Sequence, residues 1–159
     1  MRKAFVFDFD DTLATTDCYV RVYRDCTFVC KLTPTEFNNY KLNKHEHFCF
    51  IEFERLINPK ATWLLPLAQE ISQEDQSVYI LTARGQAASE GIYKWLKDNG
   101  IFAKQIHCIG DTDGEIAQEK RKIIMTILEG YDKVYFYDDH SGNIDSMPVS
   151  SKLRKYKIS

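Results

Sequence analysis

Glycine and proline are scarce in this chain, with seven and four among 159 residues, and no low-complexity segment or internal repeat is apparent. The few glycines form no GxGxxG, and no GxxxxGK[ST] occurs, so neither a dinucleotide fingerprint nor a P-loop kinase site is present. No apolar run approaches bilayer length and the first residues carry no secretory pattern, so no membrane partner is expected. Charge of one sign is not in excess either. The formal net charge is -2 with 28% charged residues, so any nucleic-acid contact would need a local patch. The cysteines, Cys18, Cys26, Cys30, Cys49 and Cys108, are odd in number and lack CxxC spacing. They read as reduced thiols in a cytoplasmic protein. The group Cys26, Cys30, His45, His47 and Cys49 could in principle hold zinc, but its spacing fits no standard finger.

What is present suffices for one domain over residues 1–159, because 44% of the residues are hydrophobic and can bury a core. Continuous apolar runs at Ala4 to Phe9, Val78 to Leu81, Ile106 to Ile109 and Val134 to Tyr137 predict strands covered on both faces. Helical patterns at about Ala61 to Ile71, Ala87 to Asp98 and Glu115 to Leu128 alternate with them, and Asn99-Gly100 and Gly130 supply stops for the last two. This predicts an α/β fold with a three-layered open parallel sheet, whose ligand crevice lies outside the carboxyl ends of the strands. Residues 16 to 59 break the rhythm and read as a small insertion. Within it Tyr19 to Tyr23 alternates like a strand, Thr27 to Leu32 can pair with it, and Thr33-Pro34-Thr35-Glu36 resembles a capping box. Lys152 to Ile158 reads as a basic edge strand or a loose tail, with a solvated structural face preferred. The Gly110-Asp-Thr-Asp-Gly114 loop reads as a turn, with a substrate-facing loop as the lesser alternative.

The chemistry gathers at the strand ends. Lys3-Ala-Phe-Val-Phe-Asp8-Phe-Asp10-Asp11-Thr12-Leu13 is an apolar strand that ends in three carboxylates and a threonine. Alternation places Asp8 and Asp10 on one side, where paired carboxylates repel each other and attract a hard divalent cation such as Mg2+. One can attack phosphorus and the other can protonate the leaving oxygen and later activate water. The competing structural reading makes Asp-Asp-Thr an N-cap and first helical turn. Likewise Thr82 could be a cap, Lys120 a solvated helix residue beside Glu119, and Asp138-Asp139 a turn before Ser141-Gly142-Asn143. Those readings leave unexplained why the strand ends are all acidic or hydroxylic on one side.

In order, Asp8-x-Asp10-x-Thr12, Ile80-Leu-Thr82-Ala-Arg84, a helix bearing Lys120, and Tyr135-Phe-Tyr-Asp138-Asp139 resemble the four motifs of the haloacid dehalogenase (HAD) superfamily. The resemblance covers nearly the whole chain except the insertion. It implies Asp8 as nucleophile, Asp10 as general acid and base, and Thr82 as a hydroxyl donor to a phosphoryl oxygen. Lys120 would then be the cation between phosphate and nucleophile. Lys122 competes with Lys120, which is preferred because Ile123 follows three positions on. Mg2+ would be held by Asp8, the backbone carbonyl of Asp10, and the Asp138-Asp139 pair, with Asp138 direct and Asp139 direct or through water. Asp11 stands where many members of the superfamily have glycine, and no role is assigned to it.

The resemblance implies a Mg2+-dependent phosphomonoester hydrolase working through an aspartyl-phosphate. The insertion corresponds to a small cap that leaves the cleft open. Thr12, Arg84, Arg21, Tyr23 and Arg24 are the candidate substrate-binding residues, with Tyr19 and Phe28 beside them. The aromatics and arginines could stack and steer a nucleotide or a strand end, or simply form the cap's own core. Thr82-x-Arg84, the lysine helix and the Asp-Asp pair also resemble the phosphatase domain of phage polynucleotide kinase-phosphatases, which suggests 3'-phosphates of nucleotides or polynucleotides. The alternatives are a small-metabolite or phosphoprotein phosphatase, or a catalytically silent phosphate-binding protein of the same fold. No obligate protein partner is evident.

Overall fold

A computed structural model describes all of residues 1–159. Its centre is a five-stranded, wholly parallel sheet built from β1 (Lys3–Phe7), β7 (Ser77–Thr82), β8 (Gln105–Cys108), β9 (Lys133–Asp138) and β10 (Leu153–Lys157), in the order β10-β9-β1-β7-β8. Every internal strand is apolar on both faces because both faces are covered. On one side α2 (Leu65–Gln73) and α3 (Ser89–Asp98) bury Leu65, Ala68, Ile71, Ile92 and Leu96 against Phe7, Val78 and Ile80. On the other, α4 (Ile116–Gly130) lays Ile124 and Ile127 over Ala4, Val6, Leu81 and Phe136, with Met147 following the short α5 (Ser141–Asp145). Alternation along each strand thus feeds two cores, the three layers that the sequence predicts. Phe7, fully buried in this packing, would cost about 3–5 kcal/mol if truncated to alanine.

The predicted strands and helices stand close to their places, with differences of a few residues. The second helix begins at Leu65 rather than Ala61, because Thr62 to Leu64 form a turn and Pro66 sits in the first helical turn. The carboxyl-terminal segment is an edge strand: β10 pairs with β9, and Tyr156 stacks on Tyr137 with ring centroids 4.9 Å apart. Gly110 is required where it stands, since a Cβ there would run into the carbonyl of Ala83. The loop after it is a turn, in which Asp111 accepts the Gln86 N–H at 2.8 Å and ties together the loops after β7 and β8.

The insertion forms its own sheet, β4-β3-β5, from β3 (Val20–Arg24), β4 (Thr27–Leu32) and β5 (Glu46–Cys49), all antiparallel. The expected capping box opens α1 (Pro34–Asn39), with reciprocal bonds between Thr33 and Glu36. β5 was not anticipated from the sequence. Neither was the two-residue pairing of β2 (Ala14–Thr15) with β6 (Lys60–Ala61), which closes the neck of the insertion beside the end of β1. Val20, Val22 and Leu32 form a small core with Phe37, Tyr40 and Phe48 around it. No helix is long and apolar enough to cross a membrane.

Candidate functional site

β1 ends at Phe7, and the next residue, Asp8, sits at the carboxyl end of the central strand with 6% of its surface exposed. Its position is fixed from three directions. Its backbone N–H donates to Tyr137 O at 2.9 Å, the Thr12 hydroxyl donates to Oδ2 at 3.1 Å, and Lys120 Nζ donates to Oδ1 at 2.9 Å. Lys120 projects from α4 across the sheet end and also donates to Asp138 Oδ2 at 2.8 Å. With 1% of its surface exposed it is inside the cluster, whereas the side chain of Lys122 is 70% exposed and pairs with Glu119. Of the two lysines, Lys120 is the one that reaches the aspartates.

Asp138 ends β9 and is fully buried. Its Oδ1 accepts the His140 N–H at 2.9 Å and its Oδ2 accepts the Asn143 side-chain N–H at 3.0 Å. Asn143 is a site residue that sequence reasoning passed over as part of a turn. Asp139 is half-buried, and its Oδ1 accepts from the Thr12 hydroxyl at 3.3 Å. Oxygens of Asp8, Asp138 and Asp139 all lie within 4.8 Å of one another. Asp138 therefore already has donors on both oxygens, while Asp139 keeps one oxygen clear of protein donors.

The Lys120 ammonium is shared by Asp8 and Asp138, with Asp139 close to both carboxylates, and the electrostatics follow. Burial pushes the Asp8 carboxyl well above its ordinary range; Lys120 offsets part of this, and Asp138 and Asp139 raise it further. Burial alone would lower the Lys120 pKa, but Asp8 and Asp138 more than reverse that, so the lysine stays charged. An all-oxygen, anionic donor set of this size fits a hard divalent cation, and Lys120 alone leaves it short of positive charge. The cysteines and histidines of the insertion form no comparable group; the only such cluster is the aspartate one.

Asp10 differs from the sequence expectation. It lies beyond the strand, where it makes an isolated bridge with Ala14, and its carboxylate forks onto Arg84 through Nε and an Nη at 2.8 Å each. Its carboxylate is thus outside the three-aspartate group, while its backbone remains beside Asp8. Arg84 is buried and spends its other donors on the carbonyls of Phe53 and Arg55 and the hydroxyl of Thr16. Instead of presenting a free guanidinium to a ligand, it ties the end of β7 to Asp10 and to the insertion. Thr82 is fully buried and its hydroxyl oxygen accepts the Arg84 N–H at 3.1 Å.

Asp11 acquires a role in the backbone. Its φ of 62° lies in the left-handed region that favours glycine, and aspartate is among the residues that tolerate it. Burial, Asp139 and Asp10 together raise its carboxyl pKa.

The three candidate residues on the insertion are engaged within it. Arg21 Nε donates to the buried Glu52 at 2.7 Å, Arg24 pairs with the buried Glu46 at 3.4 Å, and Tyr23 lies between Phe28 and His47. Glu46 and Glu52 were not singled out from the sequence. Cross-strand register nevertheless puts Arg21 opposite Lys31, and Tyr23 opposite His47, on the face of β3 away from Val20 and Val22.

A scan against protein-family models finds no match to this chain, and a search of curated proteins finds none either.

Proposed function

We propose that this protein is a HAD-type phosphomonoester hydrolase that forms an acyl phosphate on Asp8. The observation that carries the reading is the Asp8 carboxylate at the end of the central parallel strand, 2.9 Å from the ammonium of Lys120 and grouped with Asp138 and Asp139. An Oδ of Asp8 attacks phosphorus, the bond to the leaving oxygen breaks, and Asp10 supplies the proton that this oxygen takes up. Asp10 then removes a proton from water, whose oxygen attacks phosphorus; the bond to Asp8 breaks and inorganic phosphate leaves. Lys120 faces the charge that develops between Asp8 and the phosphoryl group, and Thr82 donates its hydroxyl to a phosphoryl oxygen. For acid-base work one oxygen of Asp10 must be released from Arg84, so this step is coupled to the insertion that Arg84 holds.

Asp8, Asp138, Asp139 and the carbonyl of Asp10 would hold Mg2+, which supplies Lewis-acid neutralisation of a phosphate dianion. For the substrate, the face of the β4-β3-β5 sheet that carries Arg21, Tyr23, Lys31 and His47 favours a nucleotide or a polynucleotide 3'-phosphate over a small sugar phosphate. A screen of nucleotides, 3'- and 5'-phosphorylated oligonucleotides, sugar phosphates and phosphopeptides, each with Mg2+ and with EDTA, tests both points. Turnover confined to the Mg2+ samples and strongest on a 3'-phosphate is expected. Full activity after exhaustive EDTA treatment, or no turnover of any phosphomonoester, would rule the proposal out.

A further inference from the structure

The amino-terminal end of the central sheet carries a second, chemically opposite pocket. Arg2 precedes β1, Ser77 opens β7, Lys104 precedes β8 and Tyr131 precedes β9, whereas Asp8 and Asp138 stand where β1 and β9 finish. Because all these strands are parallel, the two groups lie at opposite ends of the sheet. Between this end and α4 is a cavity of about 260 Å³, lined by Arg2, Tyr79, Lys104, His107, Thr126 and Tyr131 among others.

No carboxylate lines it. The Arg2 guanidinium lies 4.8 Å from the Tyr131 ring centroid, and Lys104 Nζ is 3.1 Å from the Tyr131 hydroxyl. Neither cation belongs to an ion pair. His107 Nε2 is buried without a hydrogen-bond partner, and its ring stacks on Tyr79. Tyr79 and Tyr131 share a hydrogen bond of 2.8 Å, and Tyr131 also reaches Ser77 at 3.0 Å. Two cations outside any ion pair line one space that no carboxylate enters, which makes it the complement of an anion, and the buried His107 nitrogen beside it still lacks a partner.

We propose that this cavity binds a small organic oxyanion, a phosphate or carboxylate borne on a single ring or short chain. Arg2 and Lys104 would take the anionic group, while Tyr79, Tyr131 and Ile127 meet its apolar body. At about 30 Å³ per water molecule the space equals roughly nine waters, room enough for one ring with its acid group. The site stands whether or not the acidic cluster is a phosphatase centre.

Tyr131 provides a local reporter. Burial alone would raise its phenol, but the hydrogen bonds with Ser77, Tyr79 and Lys104 and the Lys104 charge bring it down to about 8. Arg2 and Lys104 are the cations that face this ring, and Asp132 beside it accepts the Arg2 backbone N–H. The test titrates phenylphosphonate and benzoate into the whole protein in EDTA, which keeps cations from the acidic cluster, while calorimetry and tyrosinate absorbance are followed. At least one probe is expected to bind and to shift the Tyr131 titration upward from about 8, because a second negative charge opposes the phenolate. The stronger of the two identifies the acid group, phosphate or carboxylate. Arg2→Gln with Lys104→Met should weaken binding roughly tenfold or more. Thr126→Phe, an exposed change that fills the space without altering charge, should do the same. Absence of binding by both probes overturns the proposal. So does binding that both variants leave intact, or a Tyr131 shift that sodium chloride reproduces at equal ionic strength.

Discussion

Asp8 in the central sheet and Glu52 in the insertion are almost equally buried, with 6% and 7% of their surfaces exposed, yet their titrations are displaced in opposite directions. Burial is the largest influence on both and raises both. At Glu52 the Tyr19 N–H and the Arg21 guanidinium more than cancel it, and the carboxyl ends below its ordinary value. At Asp8 one lysine is set against two further carboxylates, and the carboxyl ends well above. Glu46 resembles Glu52: the Asn43 N–H lowers it first, burial opposes, and Tyr40 and Arg24 lower it further. The insertion thus matches each buried acid with donors, as a structural network does. The sheet end holds acids in excess, as a site that awaits a cation does.

The largest expected effect comes from removing the nucleophile. Asp8→Asn should abolish phosphomonoester turnover by about a thousandfold or more while keeping the fold, measured as kcat on p-nitrophenyl phosphate. It should also raise Tm at neutral pH. A carboxyl raised in the folded state stabilises below its unfolded value of 3.8 and loses that contribution as pH climbs through the folded value, a loss the amide does not suffer. Retained turnover would move the chemistry to another residue.

Lys120→Met should lower kcat about a hundredfold or more, and it should destabilise by about 3–5 kcal/mol because Asp8 and Asp138 lose their shared cation. Lys122→Met, on the solvent side of the same helix, should stay within about 0.5 kcal/mol and leave kcat unchanged. Equal effects in a paired denaturation and kinetic comparison would erase the distinction between them.

Acid should separate the two regions. Glu46 and Glu52 are lowered in the folded state, so their stabilisation is present above about 4.5 and is lost as pH falls through the folded values. Asp8 changes in the opposite sense over the neighbouring range. Hydrogen exchange should therefore show β3, β4 and β5 losing protection before β1, β7 and β9 on acidification. Simultaneous loss would contradict the contrast. In the same vein, Glu52→Gln should loosen the insertion, with a larger loss on any substrate that reaches the insertion than on p-nitrophenyl phosphate.

The smallest effect is expected at Asp11. Asp11→Gly relieves a left-handed residue and one negative charge, and it should stabilise by up to about 1 kcal/mol in thermal unfolding.

The same contrast governs what could be read in the sequence. Apolar runs ending in Asp8, Thr82 and Asp138 are local signals, and so the parallel sheet and its acidic end were legible. Lys120 is separable from Lys122 in the sequence only by its spacing to Ile123, whereas in the fold Lys120 is buried against the aspartates and Lys122 faces solvent. Glu46 and Glu52 were illegible because glutamate reads as solvent-exposed until its partners are known, and those partners come from several segments of the insertion, strand β3 and the loops around it. Arg84 was read as a ligand group; its donors go to the carbonyls of Phe53 and Arg55, which no spacing rule connects to it. Asn143 was hidden in the turn motif Ser141-Gly142-Asn143, which follows the two aspartates after His140. β5, Glu-His-Phe-Cys, has too little alternation to announce itself and is held by its register with β3.

The central claim is that Asp8 carries the phosphoryl group. Incubation with a turned-over phosphomonoester and Mg2+, acid quenching and peptide mapping by mass spectrometry would test it directly. An acid-stable, base-labile phosphate on Asp8 is expected, absent after EDTA and absent in Asp8→Asn. Rapid hydrolysis with the phosphate on a different residue, or undiminished hydrolysis by Asp8→Asn, would contradict it.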